Sequence, residues 1–416
     1  MRLSKCLTTP LMSVVLAALA SAGVDVLGKP QLGTFTTIQE AVDAASDNDI
    51  LIVADGIYPG FTITNKSLCV IGATGALVEV QGTCTIRNLG SAKRTSLVGL
   101  SVAAIQTFNS LARPGLELLD NLGSVRLQNC SFTGAKAQGQ PGSFTPPSGS
   151  GAEVTRSAKV LFTRCMLFGR NVGMWSGIAP RAGGAGLDSL DSAVALYECV
   201  ARGGEGSVES YPSGGEGGPG CRVNGWGVFA SGSSIEGGRG GGGDYFGCTS
   251  SGDGGDGLVI TDGQAQLYDT SIVRGAAGSF FTCTSGVGGQ RVVASAAVVN
   301  EFGTQHRSLG GPRYVNDNSQ TSFQFTGRPG DTVFLLVGSQ PVFTYMASSA
   351  GISTIRQPWV PIPVGVVGPS GSLNIPYTLP DIISPHAGFP RYFQALAVNG
   401  QQQFLSTPIQ VLVINT

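Results

Sequence analysis

The sequence predicts an all-β protein: a right-handed parallel β-helix followed by a small antiparallel β-sandwich. Three observations predict it. Five segments, VRLQNCSFTG, VLFTRCMLFG, VALYECVARG, VFASGSSIEG and AQLYDTSIVRG, share one pattern, and their small-residue column (Cys130, Cys165, Cys199, Ser233, Thr270) recurs at intervals of 35, 34, 34 and 37 residues. Self-similarity at a fixed lap means stacked units that cannot bury their apolar faces alone. Within each unit apolar residues alternate with period two, break at a polar residue and resume, which describes short strands and turns. Lastly, 63 glycines argue against helical repeats of similar length, because each helical glycine costs about 1 kcal/mol relative to alanine. Strands repeated at a fixed lap stack Leu127, Phe162, Leu196, Ala230 and Leu267 in one inward column, and Phe132, Leu167, Ala201, Ile235 and Ile272 in another, at the sheet spacing of roughly 4.8 Å.

Taken from the N-terminus, residues 1–22 read as a secretory signal. Arg2 and Lys5 precede an apolar run from Leu11 to Ala20, and Ala20-Ser21-Ala22 supplies a small-residue cleavage site. The run is too short for a membrane anchor, and Cys6 precedes it, so it is not a lipoprotein anchor cysteine. Removing Cys6 with the signal leaves an even number of cysteines in an exported chain, which permits disulfides without proving any. Thr37 and Glu40 stand in capping-box spacing before Ile38, Val42 and Ala45 on one face, a short helix able to cover the first coil. DILIVADGIY, FTITN and SLCVIGATG follow as strands. The β-helix is expected over residues 23–306. From residue 307 to 416 alternating strands with Pro and Gly turns and few charges read as the sandwich, set at the C-terminal end of the molecule.

The stretch GGRGGGGDYFGCTSSGDGGDG, Gly237 to Gly257, is then the long loop of one lap, with counterparts at Gly134 to Gly151, Gly169 to Gly186 and Gly203 to Gly220. Flexible linkers do not recur in register. A phosphate cradle needs a Gly-Lys-Ser/Thr ending or a strand-to-helix Gly-x-Gly-x-x-Gly context, and neither is present. GDGGDGLVI resembles a calcium nonapeptide, but Val259 stands where its next aspartate belongs. Asp253 and Asp256 therefore read as solvated turn residues.

TIQEAVDAA, ADGIY and SLCVIG have close counterparts at the start of right-handed parallel β-helix proteins of the pectin-lyase-like superfamily, which the chain resembles over roughly residues 34 to 305. GRPGDTVFLLVG and YFQALAV resemble a C-terminal β-domain attached to some exported bacterial proteins. The resemblance implies the fold and raises pectin-cleaving or de-esterifying activity. The polygalacturonase motifs Asn-Thr-Asp, Asp-Asp, Gly-His-Gly and Arg-Ile-Lys do not occur, and the only histidines, His306 and His386, lie outside the repeats. The esterase start Gly-x-Tyr-x-Glu is met only by GIYPG at Gly56 to Gly60, without the glutamate. A calcium-dependent lyase needs carboxylates and an Arg or Lys base gathered from different laps, which no linear search reveals.

Charged residues make up 12% of the chain at a net charge of -1, which excludes a basic nucleic-acid binder and a disordered polyelectrolyte. Lys136, Arg170, Arg202, Arg239 and Arg274 each follow a lap's strand, as a uronate-binding stripe or as solvated loop shoulders. Phe144, Trp175, Tyr211, Tyr245 and Phe280 recur in the loops, as stacking faces for sugar rings or as a satellite core. The carbohydrate-binding candidates are Trp175, Tyr211, Tyr245, Arg170, Arg202, Arg239 and Arg274. Cys130, Cys165 and Cys199 read as small core residues. Cys248 and Cys283, one lap apart, are spaced for a disulfide between adjacent coils. No catalytic residue, cofactor or metal is assigned. The reading is an exported or surface-bound, non-catalytic β-helix that meets polysaccharide or cell-surface components, with no nucleic-acid partner and no transmembrane anchor. The alternatives are a calcium-dependent uronate lyase on the same scaffold and an adhesin or surface-layer component.

Overall fold

The computed structural model describes residues 23–105, 112–136, 148–172, 174–175, 181–209, 214–242, 250–279, 284–303, 306–379 and 387–415. The expected signal segment, Phe144, Tyr211, Tyr245, Phe280, Cys248, Cys283 and His386 lie outside them. No helix of the described residues is long and apolar enough to cross a membrane.

Three sheets form a parallel β-helix. Each coil runs through the third sheet, the first and then the second, as in Leu116–Leu119, Ser124–Gln128 and Ser131–Thr133. The first sheet has ten strands, from Val24–Val26 to Ala297–Phe302, parallel except at its N-terminal edge, and the other two have eight each. The register pairs Leu127, Phe162, Leu196, Ala230 and Leu267 in turn, and likewise Phe132, Leu167, Ala201, Ile235 and Ile272. All ten side chains are buried in one continuous core.

The small-residue column has a local cause. Asn129, Arg164, Glu198, Gly232 and Asp269 each turn the corner between first and second sheets with φ between 48° and 60°. The next residue must be small and able to bond back across that corner. Ser233 Oγ and Thr270 Oγ1 each donate to the carbonyl two residues earlier at 3.2 Å, and Ser233 Oγ accepts from Cys199 N at 3.1 Å. Cys130, Cys165 and Cys199 are buried free thiols in the same position. At the N-terminal end the helix Ile38–Ala44 carries the complete Thr37–Glu40 capping box and buries Ile38, Ala41 and Val42 over the first coil.

The glycine-rich segments are not irregular loops. Between second-sheet and third-sheet strands the chain runs out along one extended leg and back along another. Arg202, Glu205 and Val208 are exposed while Gly203, Gly204, Gly206 and Ser207 are buried, so exposure returns every third residue. Hydrogen bonds share that period. Gly203 and Gly206 donate to Glu236 and Arg239 of the next outgoing leg, and Gly204 and Ser207 to Gly184 and Arg181 of the preceding return leg. Gly217 and Gly220 donate to Asp253 and Asp256, and Gly215 and Gly218 to Ser207 and Gly204. Three residues per turn, with all bonds directed to neighbouring legs, is the geometry of a polyproline II helix. The legs form two layers cross-bonded by backbone, a slab along one flank of the β-helix. A Cβ at Gly215 would sit 1.9 Å from the Arg181 carbonyl oxygen, and one at Gly218 2.1 Å from that of Gly184. Glycine is what lets these backbones touch.

The C-terminal residues form a three-stranded sheet (Ser308–Gly310, Gln320–Thr326, Ser372–Thr378) facing a larger one built on Thr332–Gly338, Gly388–Asn399 and Ile409–Ile414. Phe323, Phe325, Val333, Leu335, Phe393 and Val411 fill the space between. This sandwich does not extend the β-helix end to end. It lies back along the outer face of the first sheet. Tyr197 Oη accepts from Ile352 N at 3.0 Å, Gln128 and Gln410 bond reciprocally through side chain and backbone at 3.0 and 2.8 Å, and Thr74 N donates to Tyr314 Oη at 3.0 Å. Leu161, Ala195, Tyr197, Phe229 and Tyr268, the outward residues of that sheet, are buried beneath Ile352 and its neighbours.

Candidate functional site

The outward face of the third sheet meets the return legs at a re-entrant corner, leaving a groove of about 770 Å³ that crosses several coils. Inward residues of this sheet, such as Leu116, Ala152, Leu187 and Cys221, hold the core, so their neighbours in sequence face out. Register stacks those outward neighbours as Thr85, Glu117, Glu153, Asp188, Arg222 and Val259. Three carboxylates thus occupy consecutive rungs, one sheet spacing of roughly 4.8 Å apart at the backbone. Glu153, Asp188 and Arg222 line the groove, with Ser150, Glu216 and Asp253 on its wall.

The rungs differ electrostatically. Thr85 Oγ1 donates to Glu117 Oε2 at 3.1 Å, and Arg222 Nη1 donates to Asp188 Oδ2 at 3.0 Å. Glu153 lies between two anions. Burial, then the charges of Asp188 and Glu117, push its carboxyl up to about 7, against a hydrogen bond from Ser150 and the charge of Arg222. Near neutrality a proton-bearing carboxyl therefore sits beside an arginine-held carboxylate, the pairing by which a site separates an acid from a base. Among the described residues no three His, Cys, Asp or Glu side chains converge as metal ligands would.

Asp253 and Asp256, expected as solvated turn residues, are exposed and half-buried and also cap the next return leg: their Oδ1 atoms accept from Val287 N and Gln290 N, both at 2.6 Å. A polyproline II leg at the edge of the slab leaves N–H groups unpaired, and a short carboxylate on the preceding leg reaches them.

The opposite shoulder of the slab carries the basic candidates. Lys136, Arg170 and Arg202 gather with Phe168 and Asn171 around a shallow depression of about 560 Å³. Arg202 pairs with Glu236 at 2.6 Å and its guanidinium lies 6.0 Å from the Phe168 ring centre. Arg239 and Arg274 stand on later outgoing legs, outside that depression, with Arg239 Nη2 bonded to Ser279 Oγ at 3.3 Å. The basic residues do not form one stripe because they fall at different positions within a threefold leg. Trp175 lies in a short strand, Met174–Trp175, paired with Val208–Glu209 of the next coil.

The carboxylate column escaped the sequence reading although its signal is present. Gly115-Leu-Glu117, Gly151-Ala-Glu153, Gly186-Leu-Asp188, Gly220-Cys-Arg222 and Gly257-Leu-Val259 repeat the same spacing after a leg's last glycine. Aligning laps on the first-sheet strand alone leaves this second column unread.

No family model matches the chain, and no curated protein does. Among solved structures, a superoxide reductase (neelaredoxin) from Ignicoccus hospitalis aligns at 11% identity over 26% of this chain and 80% of that one, with a TM-score of 0.16. That value is too low to bear on fold or activity, so what the chain is rests on its own parallel β-solenoid and its groove.

Proposed function

We propose that this is an exported β-helix protein that holds an extended polysaccharide in the groove between the third sheet and the return legs. The observation that carries the reading is the pair Glu153 and Asp188 on consecutive rungs of the column, which sets two hydrogen-bonding carboxyl groups along the groove at a spacing comparable to one sugar ring of an extended chain. Carboxylates accept from sugar hydroxyls and the protonated Glu153 donates, while Gly-rich walls offer backbone without side-chain obstruction. An acidic groove favours a neutral or amino-sugar polymer over a uronate. The resemblance to the pectin-lyase-like superfamily supports a glycan ligand of this kind, and the depression at Lys136, Arg170 and Arg202 is the corresponding candidate for an anionic one.

A second reading, cleavage of the bound chain, is favoured by Glu153 itself: a carboxyl pushed up to about 7 beside a second carboxyl held by Arg222 offers a candidate general acid and partner for glycoside hydrolysis. The calcium-dependent uronate lyase would need acidic ligands beyond this column, whose members do not converge on one point among the described residues, with Arg222 as base. One experiment separates them. The mature protein is titrated with soluble β-glucan, chitosan and pectate, and each mixture is followed for reducing ends and, with added Ca²⁺, for unsaturated product. Binding of a neutral or amino glycan that weakens at least about tenfold in Asp188→Asn, without product, supports the binding reading. New reducing ends abolished by Glu153→Gln support hydrolysis, and ultraviolet-absorbing product from pectate supports the lyase. Equal affinity of wild type and Asp188→Asn for every glycan overturns the groove.

A further inference from the structure

A second cavity, about 230 Å³, lies between the first sheet and the sandwich, bounded by Arg94, Arg126, Ser96 and Ser124 on one side and Phe389 and Tyr392 on the other. Its charges do not balance. Arg126 is 6% exposed. Its Nη2 donates to the Val342 and Thr354 carbonyls at 3.3 and 2.8 Å, its guanidinium lies 4.4 Å from the Tyr392 ring centre, and its Nε has no hydrogen-bond partner. Arg94 Nη1 donates to the Ser339 carbonyl at 3.2 Å. Among the described residues neither arginine meets a carboxylate within ion-pair distance. The acid on this cavity, Asp49, is neutralised by Lys29 at 2.6 Å. The remaining titratable groups, Cys69 and Tyr392, are held neutral because burial pushes both upward, Cys69 to about 11.

Two guanidinium groups on one small, half-open cavity, one of them buried, are costly unless an anion accompanies them. Carbonyl oxygens satisfy donors but supply only partial charge. Planar forks beside serine hydroxyls suit an oxyanion of tetrahedral or carboxylate shape. From the two uncompensated arginines and the cavity they border we infer that this interdomain pocket binds a small oxyanion of the phosphate class, which joins the sandwich to the β-helix. The site is independent of the polysaccharide groove, which lies on a different sheet.

The test compares thermal unfolding and calorimetric titration of the full mature chain in sodium phosphate, glycerol 2-phosphate and sodium chloride at matched ionic strength. A melting temperature higher in phosphate than in chloride, with saturable binding at one site, is the expected result, and glycerol 2-phosphate distinguishes a free anion from a monoester. Arg94 is partly exposed, so Arg94→Met folds and weakens phosphate at least about tenfold, as does Arg126→Met where it folds. Arg87→Met, at an exposed arginine of the third sheet, leaves it unchanged. Absence of any phosphate-specific effect in the wild type, or an undiminished effect in Arg94→Met, overturns the proposal.

Discussion

Two glutamates of the same sequence are pushed to opposite ends of the carboxyl range. Glu153 is raised to about 7, so the folded state retains a proton that the unfolded chain gives up near 4.5; the associated stability is complete below that value and is lost as pH rises through 7. Glu153→Gln removes the loss, and urea unfolding at pH 8 is expected to show the variant more stable than wild type by on the order of 3 kcal/mol, with the two converging near pH 4. Glu198 runs the other way. Burial would raise it, but a hydrogen bond with His306, the charge of Arg164 and a hydrogen bond from Ser308 outweigh burial and hold it at about 2. Its contribution is present above about 4.5 and disappears as pH falls through 2. Glu198→Gln is therefore expected to lose on the order of 3 kcal/mol at pH 7 and little at pH 2. Neither role is legible in sequence, since Glu153 draws its field from residues one lap away and Glu198 from a histidine and Thr407 over a hundred positions on.

At the scale of elements, the β-helix was the most legible part, because a coil must present the same small, apolar and corner residues every lap to stack at all. The legs were legible only as glycine recurring in register. Their period of three is visible in GGEG and GGEGGPG, yet the order it produces depends on contacts between laps. That order makes a sharp prediction. Gly215→Ala places a methyl 1.9 Å from the Arg181 carbonyl oxygen, while Gly303→Ala meets nothing within 4 Å. Denaturant melts are expected to show Gly215→Ala destabilised by about 3 kcal/mol or more and Gly303→Ala near wild type; equal stability of the two would remove the close-packed slab. Asp253 and Asp256 belong to the same logic, since a short acceptor on one leg completes the edge of the next, and sequence alone shows only a turn-forming pair.

For the whole molecule, the telling sequence feature was one the alternation rule passes over. In DILIV, SLCVIG, VLF and VALY the first-sheet strands are apolar at successive positions, where a sheet with one solvated face would alternate. Both faces are in fact covered, the inner by the β-helix core and the outer by the sandwich. A chain ending at residue 306 is accordingly expected to be expressed with an exposed strip containing Ile71, Leu161, Tyr197, Phe229 and Tyr268, and size-exclusion chromatography should find it self-associated; a soluble monomer with full β-helix circular dichroism would show that the sandwich is dispensable. The position of the sandwich also fixes an order in time. Gln410, near the very end of the chain, bonds to Ser96 and Gln128 in early coils, so a chain emerging N-terminus first builds its coils long before the segment that shields them exists. Throughout synthesis that strip has no intramolecular cover, and the molecule depends on a holding partner, or on delayed coiling, until the strands of the sandwich arrive.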